Sequence, residues 1–143
     1  MGQIYSLTSR EAEAIMAAAV HTLETQFKVA AISLVNRDGT EIYKIVMDGV
    51  RPFTAHVAKL KAKQAALTGK PTSETRDEIK AGNLTAEILG IDPKKLAPWA
   101  GGFPIFDQEG NLLGGIGVSN LDQAEDAMVA ENAVCKAGFK ITK

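Results

Sequence analysis

The sequence predicts an α+β domain in which an antiparallel sheet of two hairpins is flanked by helices. Three observations carry this. Two pairs of β-prone apolar runs are each joined by a short turn-forming stretch, Arg37-Asp38-Gly39 and Asp107-Gln108-Glu109-Gly110, so sequential strands turn back on each other without a helical crossover. Apolar residues at helical spacing precede, separate and follow the hairpins. The chain has 143 residues and no repeat, low-complexity tract or linker-like stretch, so residues 1–143 read as one domain.

The first helix starts at Thr8 and Glu11, a capping box in which each side chain satisfies a backbone N–H at the helix start. Ala12, Ile15, Met16, Ala19, Leu23 and Phe27 follow as one apolar stripe. The opposite side carries Ala14, Ala17, Ala18 and His21, a small-residue face suited to close approach by a partner subunit. Runs 29–36 and 40–47 make the first hairpin, which ends at Met47-Asp48-Gly49. Pro52 then marks a loop, and Thr54 is placed to cap a helix over 55–68. Val57 or Ala58, Ala62, Ala65 and Ala66 face inward in that helix with the lysines outside, and Gly69 with Pro71 stops it.

Gly82, Gly90 and Pro93 break 73–97 into short helices, with Asp92-Pro93 opening one turn. The second hairpin pairs 103–106 with 112–119. A last helix over 121–136, capped by Ser119 or Asn120 and stopped by Gly138, puts Ala124, Ala127, Met128, Glu131, Val134 and Cys135 on one side. Six of the 13 glycines lie between Gly101 and Gly117. Glycine weakens a strand, so three within one apolar strand indicate close approach by another backbone or a flat ligand.

Composition narrows the function. Net charge is -1, and the basic residues are scattered apart from Lys59, Lys61 and Lys63, which argues against a nucleic-acid partner. One cysteine, Cys135, excludes an internal disulfide and suits a reducing compartment. No apolar run is long enough for a membrane span, so the expected location is cytoplasmic. Gly2 with Ser6 matches a short myristoylation pattern. Phosphate-loop, hydrolase-elbow and paired-cysteine motifs are absent, and Gly115-Ile116-Gly117 does not extend to a dinucleotide fingerprint because position 120 is asparagine.

The only histidines, His21 and His56, fall in different helices, and no spacing names a third metal ligand. An isolated helical histidine reads either as a partly buried polar residue or as a haem ligand, since one axial histidine suffices for haem. Cys135 reads as a small hydrophobe or a nucleophile, and Trp99 as a packing residue or a pocket floor. Asp48 at a strand end is a turn-former or a binding group. Glu125 and Asp126 complement a helix dipole or act in acid–base chemistry.

Several short motifs in fixed order resemble one family. They are Met47-Asp48-Gly49, Lys61-Ala62, Gly69-x-Pro71-Thr72, Gly101-Gly102-Phe103-Pro104-Ile105, Gly110 with Gly114-Gly115-Ile116-Gly117-Val118-Ser119, and Glu125-Asp126. Together they resemble the GlcG/HbpS family, the haem-degrading or DUF336 group that includes the C-terminal domain of PduO-type proteins, from about Thr8 to Ala137. The resemblance implies a PAS- or profilin-like α+β domain that forms homodimers building to homo-octamers. It also implies haem or a related tetrapyrrole as ligand, with some members acting instead on aromatic hydroxylamines. The chain departs from the family's pattern at Val46 for an arginine, at Lys63 and Gln64 for an aromatic and a threonine, and at Asn120 for a glycine.

The leading expectation is a haem-binding protein with His21 on the iron and a ligand surface of Met47, Asp48, Gly49, Phe53, Trp99, Gly101, Gly102 and Gly117. The alternative is a small cofactor-independent enzyme with a pocket between the hairpins, in which Asp48, Lys61, Glu125 and Asp126 are catalytic. A structural accessory subunit is the third reading.

Overall fold

The computed structural model describes residues 5–143, so the Gly2 pattern lies outside the described residues. The elements run α1 (Ser9–Thr25), β1 (Ala31–Asn36), β2 (Glu41–Val46), α2 (Pro52–Thr68), α3 (Thr72–Lys80), α4 (Ala86–Leu89), a 3₁₀ turn (Pro93–Lys95), β3 (Gly102–Phe106), β4 (Leu112–Ser119) and α5 (Gln123–Lys136). The two hairpins join edge to edge through β1 and β4 into one antiparallel sheet of order β2-β1-β4-β3. The α+β expectation is met, and the seam between the hairpins is hydrogen-bonded sheet.

Strand alternation divides the core into two unequal layers. Ile32, Leu34, Ile116, Val118, Phe103 and Ile105 point to one side and pack with Ala12, Ile15, Met16, Ala19 and Leu23 of α1 and Val129, Ala130, Ala133 and Val134 of α5. This is the main core. On the other side Val35 packs with Ala62 and Ala66 of α2. The facing positions of β4 there are Gly115 and Gly117, so α2 lies almost on the strand backbone. A Cβ at Gly117 would fall on the Ala58 carbonyl oxygen, which only glycine avoids. Alanine on the helix and glycine on the strand are the two halves of one close approach, so the approaching group is backbone.

Four local expectations need correction. Phe27 is 97% exposed and leaves the apolar stripe, because α1 ends at Thr25 and Phe27 takes a left-handed φ of 55°. Helix α2 starts earlier than expected, since Pro52 itself fills the first helical position, where its missing N–H costs nothing. Lys61 is not outside but 2% exposed. Helix α5 is capped by the Asp122 side chain, which accepts from Glu125 N, and its buried stripe is Asp126, Val129, Ala130, Ala133 and Val134. Met128 and Cys135 therefore face outward.

Candidate functional site

The glycines at the start of β3 open a channel through one end of the sheet. Lys61 reaches from α2 to donate to Val118 O at 2.9 Å and to Asp126 Oδ2 at 3.2 Å, and Asp126 is 3% exposed. The other carboxylate oxygen of Asp126 accepts from Leu121 N at 3.0 Å. Gly101, at φ 118°, makes the room: a Cβ there would lie 2.9 Å from both Lys61 Nζ and Asp126 Cβ. Burial lowers the Lys61 pKa against the opposing pull of Asp126, and burial likewise raises the Asp126 pKa against Lys61. The pair links α2 to α5 and does not line any of the three cavities described below.

Of the four residues expected to be catalytic, then, Lys61 and Asp126 meet each other out of solvent. Asp48 stands on the exposed turn after β2 with Gly49 at φ 87°, and Glu125 is ion-paired with Lys28. The expected ligand surface is dispersed in the same way. Met47 packs at the margin of the main core, Phe53 is exposed at the start of α2, and Trp99 is partly exposed beside the double glycine. Gly102 lies against Thr72 and the Lys61 backbone, and Gly117 against α2.

His21 is in a different place. The outer faces of α1 and α5 diverge toward the end of α1 and leave a groove of about 850 Å³, within the range of small-molecule sites, about 300–1,000 Å³. His21, Lys28, Met128, Cys135 and Lys136 line it. Its floor is tied by Asn132 Nδ2, which donates to Thr22 Oγ1 at 3.1 Å. Among the described residues the exposed His21 imidazole has no hydrogen-bond or ion-pair partner, and the Met128 side chain is 60% exposed. The apolar period groups Met128 and Cys135 with Val134 on one side of α5, whereas the folded helix buries Val134 and turns Met128 and Cys135 outward into the groove.

Two more concavities lie on the α2 side. One, about 400 Å³, runs between β2 and the start of α2 and contains Val46, His56 and Lys59. The other, about 420 Å³, opens at the far end of the sheet beside the β1–β2 turn. No group of three or more histidine, cysteine or acidic side chains placed to hold a metal ion occurs among the described residues. Nor is any described helix long and apolar enough to cross a membrane.

Known proteins share this architecture. The corrinoid adenosyltransferase PduO of Citrobacter freundii is 28% identical over 132 residues; the match covers 90% of this chain but only 38% of PduO. A double mutant of Streptomyces reticuli HbpS superposes with a TM-score of 0.79 at 25% identity, covering 95% of this chain and 90% of that one. A crystallised PduOC–haem complex superposes with a TM-score of 0.84 at 23% identity, covering 96% and 99%. Residues 7–135 match the family described as haem-degrading protein HbpS-like, and to that family the chain belongs.

Proposed function

We propose that the protein binds haem, or a closely related tetrapyrrole, in the α1–α5 groove, with His21 as the iron ligand. The observation that carries this reading is the unpartnered His21 imidazole beside the exposed Met128 thioether in a groove of about 850 Å³. The donor set suits the group. An imidazole ligates haem iron, a thioether packs well against a flat π-system, and the ammonium group of Lys136 is available to a propionate, while Lys28 is ion-paired with Glu125. When bound, haem would supply a redox-active iron. The protein's own part is to hold the ring by its exposed edge helices and to set its polarity.

The family's description as haem-degrading and the solved haem complex of PduOC support the ligand class. The missing arginine at Val46 does not weaken this reading, because Val46 lines the cavity on the α2 side of the sheet, opposite His21. Self-association, as homodimers building to a homo-octamer, belongs to the same proposal. Ala14, Ala17 and His21 form an exposed small-residue face on α1 that continues into the groove, which supports a haem site at or near a subunit interface. A cytoplasmic location agrees with the single, exposed, free Cys135.

Titration of hemin into the purified protein tests the assignment. A saturable shift of the Soret band is expected in the wild type and is lost or strongly weakened in His21→Ala. An identical spectrum in both proteins would remove His21 from the iron.

A further inference from the structure

The cavity at the far end of the sheet holds a set of charges that neither the fold nor the haem groove uses. Arg37 from the β1–β2 turn, Lys63 from α2 and Lys95 from the 3₁₀ turn surround an apolar floor of Leu60, Leu67 and Ile91. Among the described residues none of these three cations has an ion pair or a side-chain hydrogen bond. Leu67 is 59% exposed, a large aliphatic side chain left mostly open to solvent. Unpaired cations around uncovered apolar surface are complementary to an anion with an apolar body.

The walls are built in advance. Gln64, 3% exposed, donates through Nε2 to Ala97 O at 3.0 Å and accepts from Ala97 N at 2.7 Å, which fastens the segment after α4 onto α2. Gly90 closes α4 in the left-handed conformation at φ 72°, and Asp92 then caps the 3₁₀ turn by accepting from Lys94 N at 3.0 Å. On the opposite wall the Lys63 stem lies along Gly39, whose added Cβ would be 3.8 Å from Lys63 Cε. At about 420 Å³ the cavity is large enough for a small organic molecule.

The charge count selects the ligand further. Three cations face two carboxylates, Asp38 and Asp92, leaving a net charge of +1 in the lining. A polyanion such as nucleic acid or a polyphosphate would meet both carboxylates, whereas a single charge can be placed among the cations alone.

We infer that this cavity is a second ligand site, separate from the haem groove, for a small organic monoanion with an aromatic or branched aliphatic body. The site lies on the α2 side of the sheet and the groove on the α1–α5 side, so the two can be occupied independently.

The test uses 2-naphthoate as the probe and uncharged 2-naphthamide as the control, titrated into the uniformly ¹⁵N-labelled full chain. Saturable amide shifts are expected at Gly39, Leu67 and Gly90. Binding of the amide should be weaker by at least about tenfold, as should binding of naphthoate to the Lys63→Glu, Lys95→Glu double variant, both of whose sites are exposed. His21→Ala should bind naphthoate as the wild type does. Equal binding of acid and amide, full affinity in the double variant, shifts confined to the α1–α5 groove, or no saturable shift would each overturn the proposal.

Discussion

Phe27 occupies the position where helices usually place glycine. Phe27 N donates to Glu24 O at 3.1 Å and Lys28 N to Leu23 O at 2.9 Å, the paired bonds of a Schellman ending whose hinge residue must be left-handed. A phenylalanine there is strained, and at 97% exposure it recovers nothing by packing within the chain. Phe27→Gly is therefore expected to stabilise the isolated chain by about 1 kcal/mol in urea unfolding. Spacing alone extends the stripe from Leu23 to Phe27, but apolar periodicity does not report where backbone handedness changes. Asn120 hides a similar constraint: at φ 124° it stands where the family's usual glycine would fit, with its amide donating to Val29 O at 2.8 Å.

At the scale of elements, the contact between α2 and β4 is the most sensitive to sequence change. Gly117→Ala would push a methyl group into the Ala58 carbonyl, so the helix must lift from the sheet, and a loss of about 2–3 kcal/mol is expected from thermal or urea unfolding. Nearby, Lys61→Ala leaves the Asp126 carboxylate buried without its cation, which should destabilise by about 3–5 kcal/mol at neutral pH. The pH dependence follows in sign. Because burial raises the folded pKa of Asp126 above the ordinary carboxylate range, its favourable contribution is present at low pH, below the unfolded pKa, and is lost as pH rises through the folded pKa. The Lys61→Ala variant should thus recover stability relative to wild type as the solution is made acidic, when Asp126 becomes neutral. Unfolding curves across pH would show the gap narrowing, and a constant gap would contradict the assignment.

The elements were largely legible in advance. Capping residues, turn glycines and the period of two announce themselves locally, and β4 was read to its end residues. What the glycines were for was not legible. A glycine run announces close approach, but whether helix, ligand or partner approaches depends on the fold of residues far apart. The burial of Lys61 was invisible for the same reason, since its counterion lies 65 residues away.

At the scale of the whole molecule, the three-layer arrangement separates two kinds of surface. The α1–α5 layer offers the groove that contains His21 and the small-residue face of α1, and the α2 layer offers the basic cavity. The proposed assembly through α1 has a direct consequence: Ala17→Arg places a charged side chain on the exposed face without touching the core, so the monomer should fold normally while light scattering after size exclusion reports a smaller assembly. An unchanged mass would move the interface elsewhere. The motif order points to the family, but the α1–α5 groove arises between helices whose joined residues Thr22 and Asn132 are 110 positions apart, and neither local pattern nor composition records that.

The Lys61–Asp126 pair also bears on the order in which the chain can be completed during synthesis. Helix α2 leaves the ribosome long before β4 and α5, yet its amine has neither the Val118 carbonyl nor the Asp126 carboxylate to bury against until those residues follow. Until then Lys61 is held at the surface by its own hydration, and α2 cannot settle onto the sheet. The last helix thus closes the far side of the molecule as well as its own, and a nascent chain arrested before residue 126 should display α2 as an undocked, protease-accessible segment.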